Sequence, residues 1–123
     1  MSVTVFNKML GEVMTEIVSS TNEMIFKASN GMTFKFLHYQ DCCENVGIED
    51  ICGDLFDLVG SPLFVAEEVG NLDGFNSEAH SENYESGTWT FYKFATNKGS
   101  VTVRWLGTSN GYYSESVSYE ESQ

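Results

Sequence analysis

The sequence predicts an α+β domain: an antiparallel sheet of about six to seven strands, ordered β-β-β-α-β-β-β-β, with one short helix packed on it. Three observations lead there. Runs of alternating apolar residues, rich in Thr, Val, Tyr and Phe, recur along the chain and mark half-buried strands. Asn- and Gly-centred turn signals separate those runs. One stretch, VGIEDICGDLFDLVG, repeats instead at helical spacing.

In chain order, EVMTEIV (12–18) and EMIFKAS (23–29) alternate as strands, with SSTN a turn between them. Asn30-Gly31 then leads into MTFKFLHY (32–39). Both turn residues tolerate positive φ, so this is a hairpin signal. Met32, Phe34, Phe36 and His38 share one face of that strand, and His38 ends it. In the next segment Ile48, Ile51, Leu55 and Leu58 follow the helical period, with acids on the other faces. Gly60 and Pro62 stop it. PLFVAEEV (62–69) returns to strand. Residues 70–87 form a polar, acidic loop without apolar period, long for a compact domain. TWTFYKFAT (88–96), SVTVRWLG (100–107) and YYSESVSY (112–119) close the chain as an antiparallel meander. Their aromatics read mostly as core, with Tyr112, Tyr113 and Tyr119 as candidate interface anchors.

The 123 residues fit one domain, 1–123. With 41% hydrophobic and 14% aromatic residues, the chain can bury a core without disulfide staples. No basic-then-apolar leader opens the sequence, and no apolar run approaches the roughly 18 residues that cross a bilayer. The expectation is a soluble cytoplasmic protein, monomeric or dimeric. Its three cysteines are then free or metal-bound, because that compartment is reducing and the number is odd.

Charge is the strongest bulk signal. Eighteen acids against six bases give a net charge of −12. Twelve of the acids fall between Asp41 and Glu85, where there is no Lys or Arg. Such a surface repels nucleic acid and attracts basic proteins. It also serves, more simply, as a solvating face. The residues expected to contact a partner are Asp50, Asp54, Asp57, Glu78, Glu82 and Glu85. The first three follow i, i+4, i+7 spacing and would form one helical stripe.

His38, Cys42 and Cys43 supply imidazole and thiolate ligands of the kind zinc takes. A fourth ligand must come from elsewhere: Glu67 first, then Glu68, Cys52, His80 or water. A structural zinc would fix the turn that presents the acidic segment. The competing reading makes the cysteines ordinary buried apolar residues and His38 a satisfied histidine at a sheet edge. Nucleophilic thiol chemistry is disfavoured, since surrounding carboxylates raise a thiol pKa. No phosphate-binding glycine loop, nucleophile elbow or calcium loop is present.

HYQDCCENVGIEDICGDLFDLVGSPLFVAEEV, followed by TWTFYKFAT and KGSVTVRWLGTSNGYYSESV, resembles a family of small proteins encoded by bacteriophages and prophages. The resemblance spans residues 12 to 118, and QDCCE and SNGYYSE are its most specific strings. It implies an accessory phage protein acting in the bacterial cytoplasm, similar to anti-CRISPR inhibitors of type II RNA-guided nucleases. At least one such inhibitor is thought to carry a metal. Two function classes follow. One is a binding protein whose acidic face occupies the basic nucleic-acid-binding surface of a host nuclease. The other is a small zinc-dependent hydrolase, with His80 as proton carrier. A phage structural or assembly role is a third, plainer expectation.

Overall fold

The computed structural model describes residues 3–40, 44–71, 86–109 and 115–123. Nine strands run through them: β1 (Val3–Val5), β2 (Met14–Ser19), β3 (Glu23–Ala28), β4 (Thr33–Leu37), β5 (Asn45–Cys52), β6 (Val65–Asn71), β7 (Ser86–Thr96), β8 (Gly99–Ser109) and β9 (Ser118–Ser122). They form two antiparallel sheets, in the orders β1-β6-β7-β8-β5 and β2-β3-β4-β9. Their apolar faces meet in one core. The architecture is a β-sandwich, and the expected α+β class is wrong. Among the described residues the only helical element is a 3-10 turn, Leu55–Leu58. None of their helices is long and apolar enough to cross a membrane.

The misassigned helix has an instructive cause. β5 pairs with β8, and the register shifts between Ile48 and Asp50, leaving Glu49 as an extra residue. Val46, Ile48 and Ile51 all contribute to the core. The bulge changes their spacing from two to three residues, which mimics a helical repeat. Two glycines, Gly47 and Gly53, would each cost a helix roughly 1 kcal/mol relative to Ala. Gly53 sits at φ 122°, where a Cβ would also meet the Ser100 carbonyl oxygen at 2.6 Å. The carboxylate of Asp54 then caps the short turn, accepting from the Phe56 N–H at 2.9 Å.

The strands expected over 12–18, 23–29, 32–39, 62–69, 88–96 and 100–107 are present with modest shifts, whereas the one expected over 112–119 overlaps β9 only at Ser118 and Tyr119. β2, β3 and β4 form a meander through turns at Ser20–Asn22 and Asn30–Gly31. Gly31 adopts φ 92°, and the Asn30 side chain accepts from the Met32 N–H at 2.9 Å. β7 and β8 form a hairpin of eleven paired positions, from Ser86↔Ser109 to Thr96↔Gly99. The meander expected at the C-terminus does not continue. β9 leaves β8 and pairs with β4 in the other sheet. At the crossover the chain lies against Gly107, where a Cβ would collide with the Glu115 carbonyl oxygen.

Phe36 lies at the centre of the core and is 1% exposed. Its ring contacts Phe26 and Tyr119 of its own sheet, with centroids at 5.8 and 5.1 Å. It contacts Tyr92 and Phe94 of the facing sheet at 4.7 and 5.8 Å. Phe6, which follows β1, packs edge-on at 5.4 Å. Tyr92 buries its ring and donates its hydroxyl to Glu68 Oε1 at 2.7 Å. Burial, and then the adjacent carboxylate, push that phenol far above its ordinary pKa, so it remains a donor.

Phe36→Ala is expected to destabilise the fold by about 3–5 kcal/mol, read as a lower midpoint in urea denaturation. Gly107→Ala should cost about 1–3 kcal/mol, because the β8–β9 crossover must move to admit the methyl group.

Candidate functional site: a buried histidine–glutamate pair

His38 immediately follows β4 and continues the inward face of Phe34 and Phe36. Its side chain is 6% exposed. Nδ1 lies 2.7 Å from the Ser116 carbonyl oxygen, and Nε2 lies 2.8 Å from Glu44 Oε2. The carbonyl can only accept, so Nδ1 donates to it. The other nitrogen meets a carboxylate oxygen of Glu44. Glu44, with a fully buried side chain, also receives the Gln40 amide at Oε1, 3.3 Å, and at its main-chain oxygen, 2.5 Å.

A second acid sits one residue from this network. Glu115 accepts from the Thr88 hydroxyl at 2.7 Å and from the buried Ser109 hydroxyl at 2.5 Å. Residues 115 and 116 therefore tie β9's approach to β4 through His38 and to β7 and β8 through Glu115. This is a polar clasp between the sheets at one end of the sandwich. Its chemistry is hydrogen bonding between one buried acid, Glu44, one half-buried acid, Glu115, and their donors, which is costly to leave half made. Sequence reasoning found His38 but not Glu44, Gln40 or Glu115. Only the closeness of Glu44 to His38 in sequence could have suggested it.

The other expected site residues are distributed as follows. Cys42, Cys43, His80, Glu78, Glu82 and Glu85 lie outside the described residues, as do Tyr112 and Tyr113. Glu67 is on β6, paired in register with Val5 and Lys93. The acid that meets His38 Nε2 is Glu44. Glu68 is committed to Tyr92. Cys52 is exposed at the end of β5, with its sulfur 3.9 Å from Asp50 Oδ1. Among the described residues, no three His, Cys, Asp or Glu side chains converge as a metal-binding group. Tyr119 is partly buried against the core, its ring 4.5 Å from that of Phe6 and its hydroxyl donated to Glu121 at 2.7 Å.

Asp50, Asp54 and Asp57 do not form a helical stripe, because the helix is absent. Asp50 is opposite Arg104 in the β5–β8 ladder and makes a two-pronged ion pair with it. Hydrogen bonding to that guanidinium holds the Asp50 carboxyl below its ordinary pKa, against a smaller desolvation effect. Arg104 also lies over the Trp89 ring, 5.6 Å from its centroid, and Trp89 stacks on Phe91. Asp54 is spent on capping the 3-10 turn. Asp57 is half-buried beside Gly99, and its carbonyl accepts from the Thr96 hydroxyl. With exposed Glu49, these acids line the edge strand β5 and the turn after it.

A family model described as "Domain of unknown function (DUF7448)" matches residues 7–119. No curated protein and no solved structure was found to match the chain.

His38→Ala should strand the buried Glu44 carboxylate and cost about 3–5 kcal/mol, read by chemical denaturation. Glu44→Gln, which retains an acceptor for the imidazole, should cost less. Asp50→Asn should lower stability slightly at neutral pH. The folded-state pKa of Asp50 lies below the unfolded value of about 3.9. Its contribution is thus complete above that value and disappears as pH falls through the lower one, so variant and parent should converge in acid.

Proposed function

Because the chain belongs to DUF7448, a family of domains of unknown function, we propose from its surface that it is a non-catalytic binding protein whose partner presents a basic, nucleic-acid-binding surface. One observation carries the reading. Glu49, Asp50, Asp54 and Asp57 lie along one edge strand and its following turn, in a window without Lys or Arg. Among the described residues, their only ion pair is that between Asp50 and Arg104. The net charge of −12 adds long-range attraction to a basic surface and repulsion of nucleic acid. Binding would exclude nucleic acid by occupying its place.

The resemblance of QDCCE and SNGYYSE to phage and prophage proteins extends the proposal. The partner would be a type II RNA-guided nuclease of a bacterial host, and the chain its inhibitor. A structural zinc on His38, Cys42 and Cys43 is part of this reading. The described geometry supplies a constraint on it. Both His38 nitrogens already have partners, and the acid at Nε2 is Glu44, not Glu67. Zinc binding through His38 would displace one of those contacts.

Two measurements test these parts separately. Plasmid cleavage by a type II nuclease loaded with its guide should fall when the protein is added before DNA. It should recover with a Glu49→Lys, Asp50→Lys, Asp57→Lys variant, which leaves the Asp54 cap in place, and with rising salt. Undiminished cleavage at excess protein sinks the nuclease assignment. Elemental analysis of the tag-free protein should give close to one zinc per chain, lost in Cys42→Ala, Cys43→Ala. Metal far below one per chain removes zinc from the proposal.

A further inference from the structure

We propose that the edge of β2 left unpaired among the described residues, over Glu16–Ser19, with the apolar groove at its start, is a docking site for an extended strand of a basic partner. The inference rests on the acidic binding reading above and assigns it a place. β2 pairs with β3 on one side only. On the other side, contact ends at Met14, which bridges Val59 and accepts from the Gly60 N–H at 2.9 Å. Beyond Met14, no described strand pairs with this edge.

The other sheet edges differ. β1 spans three residues. β5 is met at Gly47–Ile48 by the β2–β3 turn, with the Ile48 N–H donating to the Thr21 carbonyl at 2.7 Å. β9 carries Glu120 and Glu121, the latter paired with Lys8. The open part of β2 reads Glu-Ile-Val-Ser, with a single charge and two β-branched aliphatic residues. Soluble proteins ordinarily blunt such an edge with a bulge, lysines or a proline; here the bulge lies before Glu16 and leaves the rest open.

Beside this edge, Thr15, Glu16 and Ile17 face Leu55, Phe56 and Val59 across a largely apolar groove of about 270 Å³. Phe56 is 81% exposed and Val18 is 44% exposed. The Asp54 cap bonds to the Phe56 backbone while leaving its ring in water. An added strand would satisfy backbone groups along Glu16–Ser19 and place one apolar side chain in the groove.

Charge selects the occupant. A second copy would bring another −12, which opposes pairing. The neighbourhood of the groove carries Glu16, Asp54 and Asp57 against Lys27 and Lys98, and Lys98 Nζ is committed to the Val59 carbonyl at 2.7 Å. The Glu16–Lys27 contact is long, 3.8 Å, with both side chains more than half exposed, so an incoming cation can replace Lys27. Side chains alternate along a strand. The fitting partner is therefore an extended segment in which an apolar residue is flanked by Lys or Arg.

The test is fluorescence anisotropy on the full chain with a short labelled peptide alternating lysine with valine and leucine. A backbone N-methylated copy of the peptide serves as control. The parent peptide is expected to bind, and N-methylation and Phe56→Ala should each weaken binding about tenfold or more. Melting curves establish that the variant, altered at an exposed ring, remains folded. Equal binding of both peptides and indifference to Phe56→Ala would overturn the strand-docking site while leaving the acidic-surface reading intact. Binding of neither peptide would overturn both. A dimer in sedimentation that Phe56→Ala dissociates would make the occupant a second copy and overturn the assignment to a basic partner.

Discussion

The contact of Phe36 with Tyr92 and Phe94 is the interaction on which the rest of the fold depends. It joins the inner faces of two sheets that share no ladder hydrogen bonds. Non-directional apolar burial is the main force holding such sheets together. Around this contact the inward positions of β3, β4, β7 and β8 are mostly aromatic or aliphatic, with Thr90 and Thr96 of β7 and Ser109 of β8 as buried polar residues. On β6, Glu68 is answered by the Tyr92 hydroxyl. A carboxylate facing the core is tolerable because its partner is a buried phenol that remains protonated.

One end of the sandwich is governed by polar interactions. The β8–β9 crossover carries Glu115 and Ser116 past Gly107. There one acid collects the hydroxyls of Thr88 and Ser109, and one carbonyl collects His38. Glu44 completes the network from the other side of His38. These bonds specify where β9 goes in a way that apolar burial cannot. A strand with the alternation of β9 could pack in several places, but these hydrogen bonds favour its place beside β4.

The acidic surface and the open β2 edge lie on different elements but meet at the 3-10 turn. Asp54 and Asp57 belong to that turn, and so do Leu55 and Phe56, which wall the groove. A partner strand on β2 would thus be steered by charge and held by backbone pairing and one apolar contact. Electrostatics mainly raises the rate of encounter, whereas a desolvated anchor slows release. The combination suits a protein that must find a basic surface in competition with nucleic acid.

Local patterning determined much of this protein without help from the fold. Alternation located β2, β3, β4, β6, β7 and β8, and Asn30-Gly31 marked its hairpin because few residues adopt positive φ. The inward place of His38 followed from its parity with Phe34 and Phe36. The count of charges fixed the acidic character before any geometry was known. Tertiary structure alone decided the rest. The bulge at Glu49 turned an apparent helical repeat into a strand, since β8 offered the Ile48–Asp50 segment a ladder that outweighed the local pattern. It also decided that β9 joins β4, that Glu44 is buried, that Glu115 collects the Thr88 and Ser109 hydroxyls, and that Asp50 faces Arg104. Each is a contact between residues distant in sequence or a consequence of burial. The period of a segment records which of its faces is apolar, but not which neighbour covers that face.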